Sequence, residues 1–141
     1  MAYYNKIGLL VLNEDKTKFL VVQKYPQNVT ADYIMPGGQF HEATVEECLK
    51  NEVAEELNCE VDFTTLRYIG EYVAVAAGRP DRDVSIKLYE GTLIGEPQPS
   101  SEIEHIHWIG AEDTKNPIVS PIIRENIIPD LVTRGILTNP S

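Results

Sequence analysis

The strongest constraint on this chain is a Pro36-Gly37-Gly38 turn signal followed closely by a helix whose acidic residues lie inside its own apolar arc. The spacing predicts helix 44–57. It opens at Thr44 with Glu47 three residues on, the pairing of a capping box. At ~100° per residue, with Val45 as zero, Leu49, Val53 and Leu57 fall near ~40°, ~80° and ~120°, and Cys48 near about −60°. That is the buried stripe. On the same wheel Glu52 and Glu56 lie within ~20° of Val45, and Glu55 lies at about −80°. Two carboxylates therefore sit inside the apolar arc and a third at its edge, while Lys50, Asn51 and Ala54 occupy the other side. Close carboxylates repel one another, and partial burial disfavours their ionised forms. One reading is the charged flank of an ordinary amphipathic helix, since Glu is a good helix former. The other is that positive charge arrives from outside the chain, for which a hard divalent cation with oxygen ligands fits.

Around this segment the pattern alternates strands and turns. Ile7–Leu12 and Phe19–Lys24 are rich in β-branched and apolar side chains and are expected to form a hairpin through the polar stretch Asn13–Lys18. Tyr33-Ile34-Met35 precedes the Pro-Gly-Gly turn. Leu66–Ala77 is a predicted long strand, bulged at Gly70, and the loop 78–83 turns it into Val84–Ile94. His105–Ile109 is a short strand placing Ile106 and Trp108 on one face. Ser120-Pro121 opens a C-terminal helix with Ile123, Ile127 and Leu131 on one stripe, and Pro129 is expected to kink or divide it. The fold class is α/β: a sandwich with a mixed central sheet, one central helix and one C-terminal helix.

Charge limits the partners. Of 141 residues, 22 are acidic and 12 are Lys or Arg, a net charge of −10 with His neutral. Such a surface repels nucleic acid and anionic membranes, so an anionic substrate would have to be reached through a cation. Apolar stretches such as Ile7–Leu12 and Val73–Ala77 fall far short of a transmembrane span. Met1–Lys6 lacks the apolar core of a signal peptide, and Cys48 and Cys59 are too few for a disulfide framework. A single domain over 1–141 in a reducing cytoplasm is the expectation.

Residues 36–59, PGGQFHEATVEECLKNEVAEELNC, resemble the signature of the Nudix hydrolases. With Gly37 as the first glycine of that pattern, Glu52, Val53, Glu55 and Glu56 fall in register. Three positions depart: Ala43 stands in place of the first Glu with Glu42 adjacent, Asn51 replaces an Arg, and Asn58 replaces a Gly. The last change is mild, because Asn tolerates the left-handed conformation that closes a helix. The resemblance implies a Nudix-type α/β/α sandwich and hydrolysis of a diphosphate bond in a nucleoside diphosphate derivative or nucleoside triphosphate. It implies Mg²⁺, with Mn²⁺ able to substitute, held by Glu52, Glu55, Glu56 and the Gly37 carbonyl. The general base would be Glu52 or a later acid, Glu102 ahead of Glu104. A homodimer is compatible with the family.

Gly38 would let backbone approach phosphates, and His41 and Arg79 could contact substrate. Each has a plainer reading as well: a solvated loop histidine for His41, and surface charge beside Asp81 and Asp83 for Arg79 and Arg82. His105 and His107 divide between surface and cleft. Tyr25, Tyr33 and Tyr72 could stack on a base or serve as core. Cys48, on the apolar stripe, is read as core. Two rival functions follow from the same resemblance. One is a nucleotide-binding domain that has lost turnover, suggested by Ala43 and Asn51. The other is a diphosphate isomerase of the same fold, which would want a catalytic Cys in the cleft.

Overall fold

A computed structural model describes residues 3–25, 32–42, 44–76 and 79–139, the side chains of 76, 79 and 80 aside. Among them, seven strands form two sheets. The first is mixed and contains β1 (Tyr4–Leu10), β4 (Gly37–Gln39), β5 (Glu60–Ala76) and β6 (Arg79–Ile94), in the order β4-β1-β6-β5. In it β1 runs parallel to β6 and antiparallel to β4. The second is antiparallel, with β2 (Lys18–Lys24) between β3 (Tyr33–Ile34) and β7 (Ile103–Gly110).

Side chains alternate across a strand, so each sheet feeds two cores. Ile7 and Leu9 of β1, with Leu20 and Val22 of β2, pack under Cys48, Leu49, Val53 and Leu57 of helix α1 (Val45–Leu57). Leu10, Phe19 and Val21 face the other way, against Ile123, Ile127 and Leu131 of the C-terminal helical run. The layering is therefore helix, sheets, helix, in the α/β class expected. Leu49 is wholly buried, and its truncation to Ala would cost about 2–5 kcal/mol.

The ends of α1 follow from its sequence. The Thr44 hydroxyl accepts the Glu47 N–H at 3.1 Å, satisfying one of the unpaired donors of the first turn. Asn58 closes the helix at φ 52°, ψ 40°.

Several local expectations change. The 13–18 connection does hold a short hairpin-like bridge between Leu12 and Phe19, but β1 and β2 then diverge into different sheets. Tertiary pairing with β6 and β7 outcompetes the local hairpin. Gly37 and Gly38, read as part of a Pro36-Gly37-Gly38 turn, belong instead to strand β4 on the edge of the first sheet. The β5–β6 hairpin is longer than predicted at both ends, β5 starting at Glu60 and β6 at Arg79; residues 77 and 78 lie outside the described residues. The bulge expected at Gly70 is present as a register shift between Tyr68 and Gly70. Ile106 is partly buried on the α1 side, whereas Trp108 on the same face is 42% exposed.

Pro129 does not interrupt the helical run. A π turn over Ile123–Ile127 precedes α2 (Ile128–Thr133), with the Ile128 N–H bonded to the Ile123 carbonyl. The wider turn accommodates a residue that has no N–H and whose ring would press on the carbonyl four positions back. Among the described residues no helix is long and apolar enough to cross a membrane.

Candidate active site

The edge strand β4 and helix α1 meet through their smallest and most acidic residues. Gly37 adopts φ 138°, and a Cβ there would fall on the Ile7 carbonyl oxygen, so only glycine fits. This close approach leaves the Gly37 N–H facing the helix, where it donates to Glu56 Oε1 at 2.9 Å. Gly38 comes as close to Glu52: a Cβ on it would stand 2.5 Å from that carboxylate.

The carboxylates experience different surroundings. Glu56 is 3% exposed, and burial pushes its carboxyl up to about 8, against the opposing pull of the Gly37 N–H and with Glu52 adding to the rise. Glu52 is half-buried and also raised, first by burial and then by the charges of Glu55 and Glu42. Glu55 is exposed. A cavity of about 660 Å³ opens here, lined by His41, Glu42, Asn51, Glu52, Ala54 and Glu55.

Asn51 Nδ2 donates to Glu42 Oε2 at 3.1 Å, and this bond is the main reason the Glu42 carboxyl lies below its usual range. Glu42, the neighbour of the departure at position 43, therefore meets the departure at Asn51 in space. Ala43 itself lies outside the described residues.

Glu102, from the loop before β7, reaches the same region. It pairs with Lys24 Nζ at 3.6 Å, and its charge raises both Glu52 and Glu56. Glu104 instead stands beside His105 at 3.7 Å. The tertiary fold also brings two cations that the helix wheel could not reveal. Lys24 ends β2 on the α1-facing side, and its charge lowers both Glu52 and Glu56; Lys6 of β1 is half-buried and feels the same two acids. The alternation Leu20, Val22, Lys24 was the available signal for the first; nothing local marked the second.

The remaining candidates separate. His41 lines the cavity, whereas the Arg79 side chain lies outside the described residues. Arg82 donates to the Tyr4 hydroxyl at 2.8 Å and stacks 4.2 Å over the Tyr3 ring. Tyr72 is core, its hydroxyl donating to Asp130 at 2.5 Å, and Tyr33 stacks on His107 at 4.2 Å. Cys48 and Cys59 are buried, with the Cys48 thiol pushed up to about 12 by burial, so neither offers a ready thiolate.

Among the described residues no three His, Cys, Asp or Glu side chains already converge at metal-holding distance. The donor set nonetheless fits a hard cation. It is all oxygen, and it contains a buried carboxyl held near neutral pH whose ionised form needs positive charge.

Fold and sequence now meet. The sequence matches the NUDIX domain family over residues 3–131, and the chain belongs to that family. Its fold is similar to that of a MutT protein from Methanosarcina mazei (TM-score 0.72, 16% identity, covering 95% of this chain and 96% of that one). It also resembles the NUDIX domain of Shewanella oneidensis NrtR, solved with ADP ribose (TM-score 0.69, 13% identity, 95% and 89% covered). An ADP-ribose pyrophosphatase from Streptococcus suis is a third similar structure (TM-score 0.63, 18% identity, 97% and 93% covered). Comparison with curated proteins returned no match.

Proposed function

We propose that this Nudix domain is a Mg²⁺-dependent pyrophosphohydrolase, working in the cytoplasm, that cleaves the diphosphate bond of a nucleoside diphosphate derivative or nucleoside triphosphate. The observation that carries the reading is the Gly37–Glu56 hydrogen bond. It fixes a buried carboxylate one helical turn from Glu52, which lines a cavity large enough for a phosphorylated compound.

Glu52, Glu55 and Glu56, with the Gly37 carbonyl, would hold the ion, Mn²⁺ being able to replace Mg²⁺. When bound, the ion neutralises charge on the phosphoryl oxygens and acidifies a water. The chain does the rest. Gly38, with no side chain, lets the substrate's phosphates approach the carboxylates, and the α1 N-terminus favours anions on its side of the cleft. His41 at the cavity wall and Arg79 are the substrate contacts in this reading. Glu52, half-buried and with its carboxyl raised by burial, would accept the proton of the attacking water. Glu102 is the alternative base, and its pairing with Lys24 brings it within reach of the same carboxylates.

The substrate class draws support from two structural neighbours whose names tie them to ADP ribose. A panel of nucleoside triphosphates, nucleotide sugars and dinucleotides, incubated with Mg²⁺ and read as released phosphate after phosphatase treatment, tests the proposal. Hydrolysis of at least one class is expected. Binding without any release would favour the second reading, a nucleotide sensor, for which Asn51 in place of the family's Arg is the specific observation.

A further inference from the structure

We propose that β5 carries a concealed pairing edge for a second copy of this chain, shut by two side chains of the C-terminal helical run, Asn126 and Arg134. The inference draws on neither the cation site nor hydrolysis.

β5 is the outermost strand of the first sheet and, at 17 residues, far longer than most strands. A long edge strand presents a row of unpaired N–H and C=O groups to any chain able to join it. The sequence here suits joining. Tyr68–Val75 is rich in Tyr, Ile and Val, contains no Pro and carries one charge, that of Glu71. Val73 and Val75 are 51% and 44% exposed.

Pairing with β6 is regular from Gly70 to Val75, so backbone groups there turn alternately towards β6 and towards the open edge. The Val73 carbonyl takes the open side, where it accepts from Asn126 Nδ2 at 3.1 Å, and Glu71 shares its direction. At the bulge the Ile69 carbonyl also faces outward, accepting from Arg134 at 2.9 Å. Both donors stand in one row of the helical run, 126, 130 and 134. Between them Asp130 accepts from the Tyr72 hydroxyl and from Arg134. The run itself packs on the Ile69 and Tyr72 face of the sheet through Ile123, Ile127 and Leu131. Only its side chains reach round to close the edge. Opening the edge therefore needs two side chains to swing away and leaves the core packing in place.

A second β5 matches this edge when it runs antiparallel about a two-fold axis at Val73. Val73 then meets Val73 and Glu71 meets Val75, so no like charges face each other and the exposed valines pack side by side. Net charge −10 opposes association of copies, and a stretch with a single charge is where that opposition is small.

The test is molar mass by sedimentation equilibrium from about 1 μM to about 1 mM. It compares wild type, Asn126→Ala/Arg134→Ala, and that double variant carrying Val73→Lys or Val73→Glu, each with a melting curve. The double variant should self-associate about tenfold or more tighter than wild type, two competing hydrogen bonds having been removed. Val73→Lys should return it to the wild-type mass, because like charges would face each other at the axis. Mixing the Val73→Lys and Val73→Glu forms should restore pairing. If the double variant unfolds, Arg134→Ala alone, at an exposed site, carries the same test. The inference is overturned by a folded variant whose mass follows that of wild type at every concentration. Association that Val73→Lys leaves intact, or that the mixture fails to restore, overturns it too.

Discussion

The backbone N–H of Gly37 donates to the Glu56 carboxylate at 2.9 Å, joining the edge strand β4 to the last turn of α1 across 19 residues of sequence. The bond requires the close approach that only a glycine at φ 138° permits, and it holds a 3% exposed carboxylate in place. Four predictions follow from this site and its supports.

Glu56→Gln should keep the fold, since the amide oxygen can still accept from Gly37, while removing metal-dependent turnover. Melting curves at pH 8 should match or exceed wild type. Phosphate release should fall by about a hundredfold or more, as for loss of a group that stabilises developing charge. Unchanged turnover would refute the assignment.

Stability of the metal-free protein should fall with rising pH. Glu56 titrates near 8 in the folded chain against an ordinary 4.5. A carboxyl raised on folding contributes most below its unfolded value and loses that contribution as pH climbs through the folded value. Urea unfolding between pH 4.5 and pH 8 should show this decline, at no more than about 1.4 kcal/mol per pH unit. Excess Mg²⁺ should reverse much of it, with the largest gain at the alkaline end. A flat profile, or equal Mg²⁺ stabilisation at both ends, would count against a buried carboxylate in a cation site.

Gly38→Ala and Gly37→Ala should separate chemistry from folding. The first places a Cβ 2.5 Å from the Glu52 carboxylate, a side-chain end that can move, so turnover should drop with modest loss of stability. The second meets the Ile7 backbone and a positive φ, and should destabilise by about 3 kcal/mol or more. Chemical denaturation and steady-state kinetics on both variants make the comparison, which fails if the order of stabilities is reversed.

Asn51→Arg should raise kcat/KM by several-fold. Asn51 already holds Glu42 by a neutral donor at 3.1 Å, and a guanidinium would add charge to that bond and offset the repulsion that raises Glu52. A drop, or no change, would mean that the Asn51–Glu42 pair already does the orienting.

Helix α1 was legible because burial repeats every three to four residues and because both its caps are local: Thr44 bonds Glu47 three residues on, and Asn58 needs only its own backbone freedom. Gly37, Gly38, Glu52 and Glu56 were legible as site candidates for the same reason, their spacing being a property of one short segment. The partner of β1 was not. Residues 7–12 and 19–24 look like a hairpin locally, yet β1 joins β4 and β6, while β2 joins β3 and β7. Strand propensity says that a segment pairs, and says little about which segment it pairs with.

The amino-acid sequence alone determined helix α1, its acidic face and the glycine pair before it, because each depends on residues within about a turn or two of one another. The tertiary structure alone decided which cations stand beside those acids. Lys6 and Lys24 belong to different sheets, and no pattern along the chain records that two strands from separate sheets converge on one helix. It also decided that Glu42 and Asn51 compensate each other, since their bond spans a loop and a helical turn. Charge acts through space, so the electrostatics of the site were set only when the chain folded.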